Sequence, residues 1–326
     1  MRQYLIRRLL LIPVLIIGIT LLDFVFINLT PGDPVTAIMN PTELVNLDPA
    51  AVEARKEALG LNKPFHERYL AWLGQVLQGN FGATVSGTSV TSLLAQRIPN
   101  TIKLIGLSAL VGVSTGVFLG VVSAFRKGTR FDNLMTVVVF LGVSLPSYLI
   151  ALICTMVLVI GVKSATGITL FPSGGSADPN SDLPRWLDEL WHLVLPVLCL
   201  SFGLTATFLR YTRASVLEVI RQDHVTTARA KGLGEILIRR RHILRNGMLP
   251  IITVLGVVLP LLITGALFIE SLFRWPGVGL LMWNATQIRE YNIIMAVALL
   301  VAVAIIVCNL IVDILYAFID PRIRYQ

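Results

Sequence analysis

Residues 223–233 read Asp223-His224-Val225-Thr226-Thr227-Ala228-Arg229-Ala230-Lys231-Gly232-Leu233, and a basic run follows them to Arg245. This polar stretch lies between two apolar blocks and has no membrane-spanning role of its own. Asp223 suits the N-cap of a helix, because its carboxylate can accept a backbone N–H bond. Gly232 can end that helix in the left-handed conformation, which glycine adopts without strain. The stretch therefore predicts a short helix that docks against another protein and acts as a lever.

The same residues admit a simpler interpretation, in which a solvated basic loop only fixes the topology of the chain. Ala228 and Ala230 favour docking, because small side chains keep the helix slim enough to enter a groove. Arg229 and Lys231 can offer positive charge to the carboxylates of a partner. Charge alone does not separate the two interpretations, and both stay open at this point.

Composition places the chain among membrane proteins. Of its 326 residues 55% are hydrophobic and 14% are charged, whereas a soluble domain has about 25% charged residues. Crossing about 30 Å of hydrocarbon takes roughly 20 apolar residues. Only the first of the long apolar blocks holds a charged residue, Asp23. The sequence predicts an all-α membrane protein with six transmembrane helices, within residues 9–29, 104–125, 133–162, 190–209, 246–269 and 291–312.

The placement of basic residues predicts the orientation. If the N-terminus is cytoplasmic, more than half of the 27 lysines and arginines fall in cytoplasmic segments. Cytoplasmic loops carry such an excess, so both termini are expected in the cytoplasm. This asymmetry also explains the net charge of +8. A nucleic-acid partner is not expected, because it would need a basic face on a soluble domain.

The chain divides into four expected segments. Residues 1–30 form the N-terminal transmembrane helix, which Pro31-Gly32-Asp33-Pro34 ends. Residues 31–100 form an extracytoplasmic segment with short amphipathic helices, expected within 49–59 and 64–77. Residues 101–318 form a five-helix core, which holds a cytoplasmic coupling loop at 210–246. Residues 319–326 form a cytoplasmic tail.

Gly112, Gly116 and Gly120 recur on one face of the second apolar block. Small residues at this spacing let two helix backbones approach closely in a membrane, so these glycines are expected to pack against another helix. With Ser114 the first two also match the G-x-S-x-G pattern of serine hydrolases. That pattern has meaning at a strand-to-helix turn, so an intramembrane hydrolase that uses Ser114 is a weak alternative.

Asp23 falls within an apolar block and Asp313 directly follows the last one, and an ionisable group at membrane depth is a functional hypothesis. Asp313 lies near the cytoplasmic end, where an interfacial structural role fits better. Asp23 lies deeper and either lines a polar path or hydrogen-bonds a neighbouring helix. An ion-coupled carrier would use one of them, but such carriers usually consist of two symmetry-related halves, which this sequence lacks.

No catalytic, cofactor or metal site is expected in the chain. A nucleotide-binding P-loop is excluded because no Gly-Lys dipeptide occurs. The four histidines show no metal-ligand spacing. The three cysteines, Cys154, Cys199 and Cys308, fall within apolar blocks and are interpreted as buried structural residues.

In the stretch 223–246 and in four others, the sequence resembles the permease subunits of ABC-type importers, in the branch that handles dipeptides, oligopeptides and nickel. The resemblance covers nearly the whole chain. It departs from the family pattern at Asp23, at His224, where a tyrosine is common, at Thr226, where many permeases have an acidic residue, and at 290–292. Five stretches carry it in the family's order: Pro31–Pro34; Asn80-Phe81-Gly82 with Arg97–Thr101; Thr227–Leu233 with Arg241–Asn246 and Pro250; Phe273–Gly279; and Asp313–Tyr316 with Asp320-Pro321-Arg322.

The resemblance implies a type I ABC importer permease fold in a bacterial or archaeal cytoplasmic membrane. Its expected partners are the lipid bilayer, a second homologous permease, two cytoplasmic ATP-binding subunits and an extracytoplasmic solute-binding protein. ATP and Mg would bind in the partner subunits. The expected cargo is di- or oligopeptides, with nickel or oligosaccharides as alternatives. The residues expected to couple to the ATPase are Asp223, Thr226, Thr227, Ala228, Arg229, Ala230, Lys231, Gly232 and Leu233.

Overall fold

The structure is a computed structural model, and it describes residues 2–29, 62–84 and 86–319. In these residues the regular structure is helical, apart from one isolated bridge between Ala83 and Ser89. The helices are α1 (Arg2–Leu29), α2 (Phe65–Leu77), α3 (Val90–Phe125), α4 (Arg130–Ser144), α5 (Ser147–Thr166), α6 (Arg185–Ile220), α7 (Asp223–Ala230), α8 (residues 235–247), α9 (Leu249–Leu272), α10 (Val278–Gln287) and α11 (Tyr291–Ile319).

Five of the described helices contain a segment long and apolar enough to cross a membrane. They are α3, α5, α6, α9 and α11. Helix α1 has a shorter apolar stretch, Leu10–Phe26, within the side chains that the structure describes. The all-helical architecture predicted from the sequence is confirmed, and five of the predicted spans have a helical counterpart.

The block 133–162, which the sequence presents as one span, is broken in two. Helix α4 ends at Ser144 and α5 begins at Ser147, and Leu145 and Pro146 between them are extended, with ψ of 129° and 143°. Proline disfavours a helical conformation in the residue before it and cannot donate a helical hydrogen bond. Pro196 inside α6 and Pro260 inside α9 do not interrupt their helices, so proline alone did not reveal the break.

The chain forms two compact units, one from residues 1–100 and 276–306 and the other from 101–275 and 307–326. In the first unit α2 lies against α1. The hydroxyls of Thr20 and Tyr69 are 2.9 Å apart, and Phe24 meets the ring of Tyr69 edge-on. Helix α2 is the amphipathic helix expected within 64–77. The one expected within 49–59, the turn 31–34 and the motif 320–322 lie outside the described residues.

Helix α10 also belongs to the first unit and lies between the apolar blocks 246–269 and 291–312, where the sequence predicted no helix. Its residues Val278, Leu281 and Ala285 are buried in an apolar cluster with Val90 of α3 and Val297 of α11. The ten residues of α10 are too few to span a membrane, and the loop motif 273–279 gave no sign of a helix beyond it.

In the second unit α6 is the central helix. Apolar side chains cover most of its circumference, and it packs against α4, α5 and α9. A helix that is apolar on all sides is stable only where other helices or lipid surround it. Buried residues of α6 such as Leu200, Leu204 and Phe208 form the main apolar core with Ile269 of α9.

The glycine face of α3 lies directly on α6. A Cβ atom at Gly112 would lie 2.6 Å from Leu204 Cβ, and one at Gly120 would lie 2.7 Å from Thr212 Cβ. At Gly116 a Cβ would lie 2.7 Å both from Phe208 Cβ and from a backbone oxygen of α6. All three glycines therefore lie where no side chain fits, and the two backbones come close together.

We expect Gly116→Ala to destabilise the chain by about 1–3 kcal/mol, because the added methyl group overlaps backbone that cannot move aside. Gly106→Ala on the same helix is the matched control, since a Cβ there meets nothing within 4 Å. Denaturant titration of both variants in mixed micelles measures the difference. Equal stabilities would show that α3 and α6 do not pack this closely.

Candidate docking site

The short helix predicted between the two spans is α7, which runs from Asp223 to Ala230. Its N-cap is Gln222, which is extended and makes no side-chain capping bond. The prediction that Asp223 caps the helix is therefore wrong by one residue. Asp223 lies in the first turn, where its negative charge still interacts favourably with the helix dipole.

The end of α7 follows the predicted form. Gly232 is left-handed, with φ of +73°. Its N–H donates to the Arg229 carbonyl at 2.9 Å, and the Leu233 N–H donates to the Ala228 carbonyl at 3.3 Å. These two bonds form a Schellman motif, which satisfies carbonyls at the helix end. The glycine is required here because a side chain is strained in the left-handed conformation.

One face of α7 is buried against its own chain. Val225 is fully buried and Ala228 is 5% exposed. They share an apolar cluster with Ala124 of α3, Val216 and Val219 of α6, and Ile238 and Ile243 of α8. The small side chain of Ala228 therefore serves packing inside this protein, and Ala228 is not part of the exposed face of α7.

The opposite face of α7 is exposed to solvent. Of the residues predicted to couple, every one except Ala228 is exposed: Asp223, Thr226, Thr227, Arg229, Ala230, Lys231, Gly232 and Leu233. His224 is exposed beside them. The structure thus brings the predicted residues together on one surface of a short helix.

Apolar side chains extend this surface, and two of them, Ile236 and Leu237, were not predicted from the sequence. Ile236 and Leu237, in the first turn of α8, are 76% and 44% exposed, and Leu233 is 38% exposed. Exposed large apolar side chains that form a patch are typical of an interaction site. Their position directly after a helix-ending glycine was the available signal.

Charged contacts fix how α7 and α8 lie against each other. Glu235 accepts a hydrogen bond from Arg229 Nε at 2.8 Å, and Arg239 Nε lies 3.8 Å from its other oxygen. The bond from Arg229 lowers the pKa of Glu235, so this carboxylate stays charged at neutral pH. The Arg239 guanidinium also lies over the Phe125 ring, 4.8 Å from its centre. Exposed pairs add little stability, but they orient the two helices.

The segment that leads from α7 to α9 is also hydrogen-bonded to α6. Ser215 of α6 donates a buried hydrogen bond to the Gly247 carbonyl at 2.8 Å, where α8 ends. Helix α9 begins two residues later, at Leu249. The end of α8 is therefore bonded to α6 next to the start of α9.

The other residues singled out in the sequence lie elsewhere. Asp23 of α1 is half-buried, and within the described residues its Oδ2 atom has no hydrogen-bond partner. The side chain of Asp313 lies outside the described residues. Ser114 donates to the Leu110 carbonyl of its own helix at 2.6 Å, in the middle of α3. Cys154, Cys199 and Cys308 are free thiols in α5, α6 and α11. No group of metal-ligating side chains occurs in the described part of the chain.

Two family profiles together match nearly the whole chain. The profile of the binding-protein-dependent transport system inner membrane component matches residues 116–325, and the N-terminal profile of the same system matches residues 1–105.

Individual proteins agree with these profiles. The oligopeptide transport system permease protein AppB of Bacillus subtilis (strain 168) is 39% identical, over the full length of both chains. The di/tripeptide transport system permease protein DppB of Pseudomonas aeruginosa (strain UCBPP-PA14) is 35% identical, again over the full length of both. A chain of the MetNI methionine ABC transporter, solved in an inward-facing conformation, superposes with a TM-score of 0.54 at 15% identity, covering 70% of this chain and 96% of that one. This last likeness concerns the fold alone.

We expect Gly232→Val to loosen the end of α7, because a branched side chain in the left-handed conformation costs roughly 1–2 kcal/mol. Trypsin should then cleave the purified protein faster after Arg229 and Lys231, both of which are exposed. Gly232→Asn is the control, since asparagine tolerates this conformation better. Equal cleavage rates for the two variants would contradict the Schellman ending.

Proposed function

The chain belongs to the binding-protein-dependent transport system inner membrane components, in the peptide branch of ABC importer permeases, and we propose that it forms half of the translocation path of an ATP-driven importer. It is a multi-pass membrane protein and a non-catalytic transport subunit. We propose that α1 is a sixth span, that both termini are cytoplasmic and that the fold is the type I importer fold.

The observation that carries the proposal is the two-sided character of α7. Its inner face is fixed to α3, α6 and α8 through Val225 and Ala228, and its outer face presents polar and charged side chains. A surface loop that only set topology would not need a helix anchored in this way. We propose that the outer face docks in a cleft of a cytoplasmic ATP-binding subunit, with the exposed part of Leu233, Ile236 and Leu237 beside it.

The coupling mechanism then follows from two conformational states. Closure of the ATPase subunits around ATP favours the state in which α7 is displaced, and the rigid connection transmits that bias to the spans. Hydrolysis removes the bias and the complex returns to its inward-facing state. ATP and Mg bind in the partner subunits, because the chain has no P-loop of its own.

The remaining partners follow from the same assignment. A second homologous permease supplies the other half of the path, and an extracytoplasmic binding protein delivers the solute. Di- or oligopeptides are the proposed cargo, because AppB is named an oligopeptide permease and DppB a di/tripeptide permease. Asp23 is the proposed path-lining residue of α1.

Reconstitution of the complete complex in liposomes tests this function. Peptide uptake should require ATP, both ATPase subunits and the solute-loaded binding protein. Uptake by this chain without ATPase subunits, driven by an ion gradient, would replace the proposal with an ion-coupled carrier.

We expect Ala230→Trp to abolish the stimulation of ATP hydrolysis by the loaded binding protein, because a large side chain on the outer face of α7 prevents docking. Ala230 is exposed, so the variant should fold and insert normally, which is not expected of Ala228→Trp at the buried position. Ala165→Trp is the control, since Ala165 is an exposed alanine near the end of α5, in the predicted external region. Normal stimulation in Ala230→Trp would mean that α7 docks through a different face.

We expect Asp23→Asn to change the KM or the maximal rate of peptide uptake without destabilising the chain. The buried Oδ2 atom has no hydrogen-bond partner in the described residues, so removal of the charge relieves a desolvation cost. Ser114→Ala is the control, because Ser114 bonds only within its own helix. Unchanged uptake kinetics, together with lower stability, would assign Asp23 a structural role.

A further inference from the structure

An ion pair with a buried carboxylate lies where α4 meets α6. Asp132, in the first turn of α4, is 3% exposed. Arg213 of α6 donates to it twice, from Nε to Oδ1 at 2.6 Å and from Nη2 to Oδ2 at 2.8 Å. The Ser123 hydroxyl donates to Oδ1, and the Gly128 N–H donates to Oδ2 at 3.0 Å. The carboxylate therefore receives four donors, which saturates its acceptor sites.

These four hydrogen bonds come from three residues in different parts of the chain, and Asp132 is their common acceptor. Ser123 is near the end of α3, Gly128 is in the turn that follows, Asp132 begins α4, and Arg213 is 81 residues away in α6. The bond from the Arg213 guanidinium, with those from Ser123 and Gly128, holds the pKa of Asp132 far below its usual range. The pair is thus permanently charged at physiological pH, and its two parallel bonds fix the angle between α4 and α6.

The pair also lies beside the anchorage of the docking helix. On α6, Arg213 is followed by Ser215, which holds the end of α8, and by Val216, which packs beneath α7. Further along α4, Gly142 is held against α6 as well, since a Cβ there would lie 2.5 Å from Ala206 Cβ. Helix α4 is therefore fastened to α6 near both ends, by charge near α7 and by close backbone contact near the Pro146 break.

The pair is weak evidence for stability, because desolvation of the buried Asp132 carboxylate offsets much of its attraction to Arg213, whose side chain is 30% exposed. Its geometric restraint is the stronger effect. Without the pair, α4 would keep its contact with α6 at Gly142 but would lose its fixed attachment to α6 at the α7 end.

We propose that Asp132 and Arg213 are positioning residues for coupled transport, which carry the displacement of α7 through α6 into α4. This inference rests on the proposed function and adds the joint through which the work is transmitted. Their proposed action is on helix geometry and requires no contact with solute or nucleotide. They set the arrangement of two helices in each state, so their loss should let the ATPase cycle without moving solute.

The test measures peptide uptake and ATP hydrolysis in the same proteoliposomes, with this chain in its complete complex and the loaded binding protein present. Arg213→Lys keeps the charge and loses the two-pronged geometry, and Asp132→Asn keeps the shape and loses the charge. We expect both to lower the number of peptides imported per ATP hydrolysed by roughly threefold or more, the scale of coupling mutations. Ser123→Ala removes a single donor and should have a smaller effect in the same direction.

The matched control is the ion pair between Lys103 of α3 and Glu189 of α6, which is equally short at 2.6 Å but more exposed. Lys103→Met and Glu189→Gln should leave the ratio unchanged. A purely structural role of Asp132 would lower uptake and hydrolysis in proportion to the amount of assembled complex, and an unchanged ratio in Arg213→Lys, Asp132→Asn and Ser123→Ala would overturn the proposal. Wild-type uptake that does not depend on ATP would instead overturn the proposed function, so the two failures are distinguishable.

Discussion

The arrangement of the second unit depends on how closely other helices can approach α6. Lipid tails are as apolar as leucine side chains, so burial of apolar surface does not drive helices together inside a membrane. Close packing must supply the attraction instead, and it needs small residues at the contact. Gly112, Gly116 and Gly120 of α3 and Gly142 of α4 provide it, each at a point where a Cβ atom would overlap α6. A face of α6 that carried larger side chains at Ala206 or Thr205 would push these helices away.

The same helix changes its mode of attachment along its length. At membrane depth backbone contacts hold its neighbours. Toward the α7 end, Arg213 binds Asp132 through charge-assisted hydrogen bonds, and beyond it Val216 and Val219 enter an apolar cluster with Val225 of α7. Outside the hydrocarbon the hydrophobic effect operates again, so apolar burial can anchor α7 there. Each kind of interaction is used in the environment where it is strong.

The helical spans and the end of α7 could be predicted from the sequence, whereas features that depend on contacts between distant residues could not. Apolar blocks predict the approximate positions of the five helices in the described residues that can cross a membrane, because hydrocarbon thickness sets the length of a span. Gly232 was predictable because a local rule governs how helices end. The break at Pro146 was not, because Pro196 and Pro260 occur in equally apolar blocks and leave their helices intact. The inward direction of Ala228 and the pairing of Asp132 with Arg213 depend on contacts between distant parts of the chain, and no periodicity encodes them.

In the proposed coupling, the helices that transmit a displacement must be held rigidly to one another, and a flexible joint must separate them from the helices that follow. From α7 through α6 to α4 the chain is held by an apolar cluster, a buried hydrogen bond, a four-donor carboxylate and glycine contacts, so that relative sliding is costly at every step. This stiff path ends at Ser144. Beyond it Leu145 and Pro146 are extended, and Pro146 has no N–H to continue the helical hydrogen bonds. A continuous helix from Arg130 to Thr166 would carry every displacement of α4 directly into α5. The break lets the two segments change their angle at the cost of few hydrogen bonds, so α4 and α5, which both pack against α6, need not move as one rigid helix.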